Sequence, residues 1–440
     1  MKRVAFYTIG CKLNQFETEQ MREAAEAGGY GTSDDAAQAE VCVINTCTVT
    51  SKSDYRSRQA VRRALRGNPG ALVVVTGCYA QRKPDELASI AGVDIVLGNV
   101  EKDSIAAYLG LPKQASPVVR VTPTDQMDRL AGQRELHGFG SYTRAFVKIQ
   151  DGCDNCCTYC AVPSARGRGR SKRPIEVRRE LQILASRGYK EIVLTGVHLG
   201  SYGRDLVPPT SLAALLREIA ATEGAARFRL SSIEPTDFSD DLIDLLADAS
   251  SRICPHVHVP LQSGDDRILK MMGRPYGRAG YRRLVERIAG ACANCGIGAD
   301  VMVGFPGEDH QAFQNTLSLL RDLPITYLHV FAFSRREGTV AAGFGPETNP
   351  GEKKERSRAL RALGTQKSQA FRESLVGRVL ETLILGATPG SISRGLSGNY
   401  VKVFFASELA PNTMVSALVT GSGAGGVEAI AQGSSGRGVG

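Results

Sequence analysis

No apolar run in this 440-residue chain is long enough to span a bilayer. No small-residue cleavage site follows the opening "MKRVAFYTIG", so no signal peptide is expected. No internal repeat is visible beyond an alternation of strands and helices. The eleven cysteines are many, yet too dilute for a disulfide scaffold. "VMVGFPGE" (301–308) lacks the Lys-Ser/Thr of a nucleotide-phosphate loop, and its glycines are expected to shape the end of a strand. These absences exclude membrane-spanning, disulfide-framework and solenoid classes. They leave a cytoplasmic protein, in a reducing compartment where clustered thiols serve metals or catalysis.

What is present is ordinary in bulk: 42% hydrophobic and 22% charged residues, in a chain long enough for two or three domains. The formal charge of +9 is moderate, but its uneven distribution suits a polyanionic partner. Short β-branched runs at 4–9, 41–46, 71–76 and 93–98 alternate with helical stretches such as 14–27 and 53–66, which predicts a parallel α/β sheet. Residues 113–138 read as a linker. A second series follows, with strands at 144–150, 190–195, 227–232, 256–260, 297–303 and 327–333 separated by helices. Six βα units predict a full or partial barrel over 139–370, with working residues on the loops after the strands. Short strands over 371–425 predict a small all-β module. The Gly/Ser-rich end, "GSGAGGVEAIAQGSSGRGVG", is expected to be disordered, with 426–440 as a tail.

Cysteines mark both halves. Cys11, Cys47 and Cys78 each follow one of the first three strands, and strand carboxyl ends share one edge of a parallel sheet. Three thiols far apart in sequence can therefore meet. A lone buried cysteine is usually a small core residue, and Cys42, inside a strand, keeps that reading. After the first barrel strand comes "CDNCCTYC" (153–160). It can be parsed as two C-x-x-C pairs, as zinc sites use, or as Cys153, Cys157 and Cys160 with Cys156 a bystander. The two pairs abut with no spacer, so adjacent Cys156 and Cys157 would need a strained loop to reach one ion. The three-ligand parsing needs no such strain and suits a cubane cluster with one open iron.

C-x-x-x-C-x-x-C in that position, with Tyr159 before the last cysteine, resembles the radical S-adenosylmethionine superfamily. Together with the N-terminal trio and the C-terminal β module, the chain is similar to the methylthiotransferases over nearly its whole length. "SARGRGRSKRP", "LTGVHLGSYGRD", "LSSIEP", "HVPLQSGDDRIL" and "FSRREGT" look like segments of that family. "TIGCKLNQFETEQM" (8–21) is most similar to the branch acting on threonylcarbamoyladenosine in tRNA. Branches acting on isopentenyladenosine, or on a ribosomal-protein aspartate, differ after the first cysteine. The resemblance implies two 4Fe-4S clusters, on Cys153, Cys157 and Cys160 and on Cys11, Cys47 and Cys78. It also implies S-adenosyl-L-methionine as radical source and methyl donor, and a TRAM-like RNA-binding module at the C-terminus. Implied partners are the tRNA anticodon stem-loop and a flavodoxin- or ferredoxin-like electron donor; a monomer is expected.

No protein acid or base is nominated, since the cofactors carry the hard step. Tyr159, Thr195, Gly196, Glu234 and Gln262 are candidate cofactor contacts; packing or a plain turn is the competing role for each. His256 and His258 alternate on one strand and read as structural, and Cys292 and Cys295 as helix packing. Two basic segments adjoin the cysteine sites. One carries Arg56, Arg62 and Arg63, the other Arg166, Arg168 and Arg170, and both are expected to steer a phosphate backbone. The alternative of another class is a zinc-stabilised, non-catalytic RNA-binding protein.

Overall fold

The β-branched runs Val41–Thr46 and Leu72–Gly77 are buried along their whole length, as strands covered on both faces must be. They form the centre of a six-stranded parallel sheet. Its spatial order is Gly31–Ser33, Arg3–Thr8, Val41–Thr46, Leu72–Gly77, Ile95–Leu97 and Val118–Arg120. Helix Lys12–Ala27 covers one face through Met21, Ala24 and Ala25, and helix Ser51–Gly67 the other through Val61 and Ala64. The computed structural model describes residues 2–432, except 34, 114, 128–134, 141, 222–223, 225 and 389–391.

The central domain carries six parallel strands in chain order: Ala145–Lys148, Glu191–Thr195, Arg227–Leu230, His256–His258, Gly296–Val303 and Tyr327–Ala332. They form two three-stranded sheets joined by bridges Phe228–Ile253 and Ser232–His258. Along Gly296–Val303, Ile297, Ala299, Val301 and Val303 join the main hydrophobic core. Alternation then turns Gly298, Asp300 and Met302 to the inner wall. Helix Lys12–Ala27 of the first domain packs against strand Ala145–Lys148, bringing the end of the first sheet over the mouth of the second.

Helix Pro350–Ser374 leads to a closed five-stranded barrel of Val379–Thr388, Ile392–Ser397, Lys402–Phe405, Gly426–Gln432 and Met414–Gly423. Its backbone caps the base of the central domain. Arg229 donates to the carbonyls of Gly398 (2.8 Å) and Ser397 (3.0 Å), and Arg227 to that of Leu396 (2.7 Å).

Two expectations need correction. The segment 113–138 is not simply a linker: Val118–Arg120 adds the sixth strand to the first sheet, and Leu136 is buried in the central core. The glycine-rich end is not disordered through 426–432. Gly426–Gln432 closes the small barrel, pairing with Met414–Gly423, because Val427 and Ala429 alternate into its core. Residues 433–440 of the expected tail lie outside the described residues. Among the described residues no helix is long and apolar enough to cross a membrane.

Candidate functional site

The N-terminal trio is assembled by strand ends. Cys11 caps helix Lys12–Ala27, Cys47 follows strand Val41–Thr46, and Cys78 opens helix Cys78–Arg82. Gly10 makes their approach possible: at φ 120°, a Cβ there would meet the Cys47 Cβ at 2.8 Å. Asn14 ties the ends together, its Nδ2 donating to the carbonyls of Ile9 (2.7 Å) and Thr46 (3.0 Å). Burial pushes the Cys47 thiol up to about 11, with Cys78 and then Cys11 also acting on it. Burial likewise raises Cys78, against the pull of Arg166 and Lys102. Burial favours the thiol form of both, and a metal or cluster would draw off their protons on binding.

Cys153, Cys157 and Cys160 sit on the loop after the first barrel strand. Burial pushes Cys153 up to about 12 and Cys160 up to about 11. The Cys157 Sγ accepts from Arg274 Nη1 at 3.1 Å, and the same guanidinium is paired with Glu234. The Cys153 Sγ lies 3.9 Å from His198 Nδ1, while His198 Nε2 is 2.6 Å from Asp237. Cys156 is exposed, its Sγ 3.9 Å from the carbonyl of Asp154. Among the described residues, neither trio brings its three sulfurs within 4.8 Å of one another; the donor set that does is His258, Asp300 and His329. A single tetrahedral zinc, with Zn–S of about 2.3 Å, would hold its sulfurs under about 4 Å apart.

Around the second trio the candidate contacts fall into distinct places. Tyr159 meets Phe305 edge-on at 6.4 Å, beside the apolar cluster of Met302, Phe305 and Phe333, and also flanks Arg274 and Cys157. Thr195 is buried at its strand end. Gly196 admits Gln150, whose Oε1 would lie 2.9 Å from a Cβ there and which accepts from the His198 amide. Glu234 is raised by burial in spite of Arg274. Gln262 is buried at φ 66°, and its Oε1 has no partner; the Oγ of Ser231 is likewise buried and unpartnered. Orphaned polar atoms at two barrel strand ends fit a polar small molecule that completes them. Arg274, His198 and Ser231 escaped the sequence reading, because nothing local in "GRPY", "GVHL" or "LSS" marks a partner in space.

The inner wall below carries a hydrogen-bonded row. His256 Nε2 and His258 Nδ1 meet the Tyr327 hydroxyl at 2.8 and 3.1 Å, and His258 Nε2 meets Asp300 at 2.9 Å. Lys12, next to Cys11, is near Arg144, Arg229 and His256. Among the described residues it makes no hydrogen bond or ion pair; burial, with Arg144 and Arg229, pushes its amine down to about 8, and Glu191 acts the other way.

The basic segments part company. Arg56, Arg62 and Arg63 are exposed on helix Ser51–Gly67, and Arg168 is 89% exposed beside Asp154. Arg166 and Arg170 correct the expectation of a phosphate-steering face: both are buried. Arg166 is paired with Glu17 (2.8 Å) and Asp151 (2.9 Å), and Arg170 caps the carbonyls of Arg168 and Arg166 at 2.8 Å. Lys172 in the same run is buried against Glu180. The carboxylates that hold Arg166 and Lys172 lie on other elements, so the run reads as surface charge in sequence alone.

Residues 3–98 match the Uncharacterized protein family UPF0004, and residues 147–320 the Radical SAM superfamily. The chain is 38% identical over 410 residues to the threonylcarbamoyladenosine tRNA methylthiotransferase MtaB of Bacillus subtilis, covering 92% of this chain and 90% of that one. It is 38% identical to the protein of the same name from Aquifex aeolicus, over 91% of this chain and 96% of that one. A tRNA-2-methylthio-N(6)-dimethylallyladenosine synthase from Syntrophus aciditrophicus is 32% identical over 88% of this chain and 84% of its own. Among solved structures, the radical S-adenosylmethionine methyltransferase TsrM from Kitasatospora setae superposes with a TM-score of 0.56 at 17% identity, covering 75% of this chain and 73% of that one. That likeness concerns the fold.

Proposed function

Because the chain belongs to the radical S-adenosylmethionine methylthiotransferase family, we propose that it adds a methylthio group to C2 of threonylcarbamoyladenosine next to the anticodon of tRNA. The observation that carries this reading is the pair of thiol trios, one at the strand ends of each of two adjoining domains. Cys153, Cys157 and Cys160 would hold the cluster that binds S-adenosylmethionine, and Cys11, Cys47 and Cys78 a second 4Fe-4S cluster. When bound, these groups supply one-electron reduction, hydrogen abstraction, and the sulfur and methyl to be transferred.

The chain's own residues supply position and charge. Arg274 offers its guanidinium to Cys157 and balances Glu234. Gln262 and Ser231 present unpartnered polar atoms at the strand ends, where the cofactor's polar groups would sit. Tyr159 and its aromatic neighbours Phe305 and Phe333 give that space an apolar side. Lys12 supports the choice of modified base. Its amine lies beside the N-terminal trio and makes no ion pair among the described residues, Glu191 acting on it only through its field, and threonylcarbamoyladenosine brings a carboxylate where isopentenyladenosine brings only an alkyl group. Exposed Arg56, Arg62, Arg63 and Arg168 suit the phosphates of an anticodon stem-loop, with the C-terminal barrel gripping the stem. An electron donor of flavodoxin or ferredoxin type, a monomeric state and a cytoplasmic location complete the proposal.

Two measurements test it. Mass spectrometry of tRNA nucleosides from a strain lacking the gene should show loss of the methylthio form of threonylcarbamoyladenosine alone. Loss of methylthio-isopentenyladenosine instead would move the substrate to the other tRNA branch, and an unchanged profile would exclude tRNA. Protein purified without oxygen should carry about eight irons. Stoichiometric zinc with negligible iron would return the chain to the non-catalytic class.

A further inference from the structure

We propose that Arg166 is a positioning residue that fastens the two thiol trios to each other and lends the N-terminal one a fixed positive charge. The inference rests on the reading above that both trios hold clusters.

One guanidinium reaches both domains. Nη1 donates to Glu17 Oε1 (2.8 Å) and to Asp151 Oδ1 (2.9 Å) and Oδ2 (3.0 Å). Nη2 donates to Asn14 Oδ1 (2.8 Å) and Glu17 Oε2 (3.2 Å). Asp151 also accepts from the amide of Gly152, the residue before Cys153, at 2.8 Å. Asn14, on the far side, is the residue whose Nδ2 holds the carbonyls of Ile9 and Thr46, the strand ends that deliver Cys11 and Cys47. From the root of one thiol loop to the clamp of the other thiol site, the path is three side chains long. The backbone repeats the link, with Asn99 Nδ2 donating to the Ala165 carbonyl at 2.7 Å.

The charges do not balance. Lys102 (2.5 Å) and Lys148 (3.0 Å) also bind Glu17, so three buried cations face two buried carboxylates, Glu17 and Asp151. Arg170 adds a fourth cation, bonded only to carbonyls. A buried surplus of positive charge is unfavourable unless an anion adjoins it. Cys78 adjoins it: helix Cys78–Arg82 packs against the turn Pro163–Arg166 that carries the guanidinium. A cubane on three thiolates is a net anion whose potential responds to nearby charge. Chemistry that passes sulfur from one site to a carbon activated at the other also needs a fixed gap, since misplacement by about 1 Å can cost about 100-fold.

The test uses the full chain with Arg166→Lys, Arg166→Met and Asn14→Ser. Potentials are read in a background where Cys153, Cys157 and Cys160 are all alanine, leaving one trio. Arg166→Met should lower the reduction potential of the remaining cluster, because a positive charge is lost. Arg166→Lys and Asn14→Ser should leave that potential near the parent's. In the background with all cysteines, those two variants should yield about 10–100-fold less methylthio product per cofactor cleaved. Unchanged potential in Arg166→Met together with unchanged yield in the other two overturns the proposal and leaves Arg166 an ordinary interdomain ion pair. If Arg166→Met does not fold, unchanged yield in Arg166→Lys and Asn14→Ser is sufficient to overturn it. A triple-alanine background that binds no iron instead removes the two-cluster reading itself.

Discussion

Cys157→Ala should reduce reductive cleavage of S-adenosylmethionine to background, while Cys156→Ala, one residue away, should retain it. The two thiols are neighbours in sequence and opposites in space. Cys157 is half-buried, receives Arg274 at 3.1 Å, and shares that guanidinium with Glu234. Cys156 is exposed, with only a carbonyl 3.9 Å away. A cubane held by three thiolates loses one of its iron attachments when a ligand is deleted, and the open iron loses its fixed place. Removing Cys157 also strips Arg274 of a hydrogen-bond acceptor while leaving Glu234, so the pocket's polar contacts change along with its ligands. The measurement is 5′-deoxyadenosine formed under strong reductant by reconstituted protein, with iron content as control. Equal loss in both variants would mean that the loop binds through its two C-x-x-C pairs and that the three-ligand assignment is wrong.

The strand-end placement of the cysteines was legible because its signal is local. Each cysteine stands directly after a β-branched run, and topology alone brings strand ends to one edge. The hydrophobic periods of helices such as Arg278–Ala291 and His310–Asp322 were legible for the same reason. Three features were not. Strand Gly426–Gln432 reads as a glycine-rich tail because only pairing with Met414–Gly423 makes its alternation meaningful. Three-residue Val118–Arg120 is too short to carry a period, and adds on as an edge strand to a sheet already formed. "ARGRGRSKR" misleads most. Its alternating cations look like a phosphate-binding face, yet Arg166, Arg170 and Lys172 are buried against Glu17, carbonyls and Glu180. Glu17 in turn sits mid-helix in a run that looks exposed. Charge in sequence reports composition, and only the partner in space, for Arg166 one 149 residues away, decides the face.

The same lesson sets the second large expectation. Glu191→Ala should destabilise the chain by about 3–5 kcal/mol, the usual consequence of leaving buried charge unpaired. Glu191 is fully buried at the start of its strand and faces three arginines: Arg229 at 2.9 Å, Arg227 at 2.8 Å and Arg144 at 3.3 Å. Those guanidiniums hold its carboxyl far below the usual carboxylate range despite burial. Arg227 and Arg229 use their remaining donors on the carbonyls of Glu381, Leu396, Ser397 and Gly398, and Arg227 also reaches the Glu381 carboxylate at 3.3 Å. The node therefore fixes the C-terminal barrel to the base of the central domain. Its pH dependence follows from the sign of the shift. A carboxyl depressed in the folded state contributes fully above the unfolded carboxylate range, about pH 4.3, and loses that contribution as pH falls below it. Thermal unfolding at neutral pH should show the loss in Glu191→Ala, and the gap to the parent should narrow in acid. Limited proteolysis should cut the variant near helix Pro350–Ser374 as the barrel comes away. If the barrel is what grips the RNA stem, tRNA binding should weaken in the same variant while 5′-deoxyadenosine formation from S-adenosylmethionine alone, for the protein still folded, persists. A variant that melts with the parent and resists protease equally would show that the apolar contacts hold the barrel without this charge node.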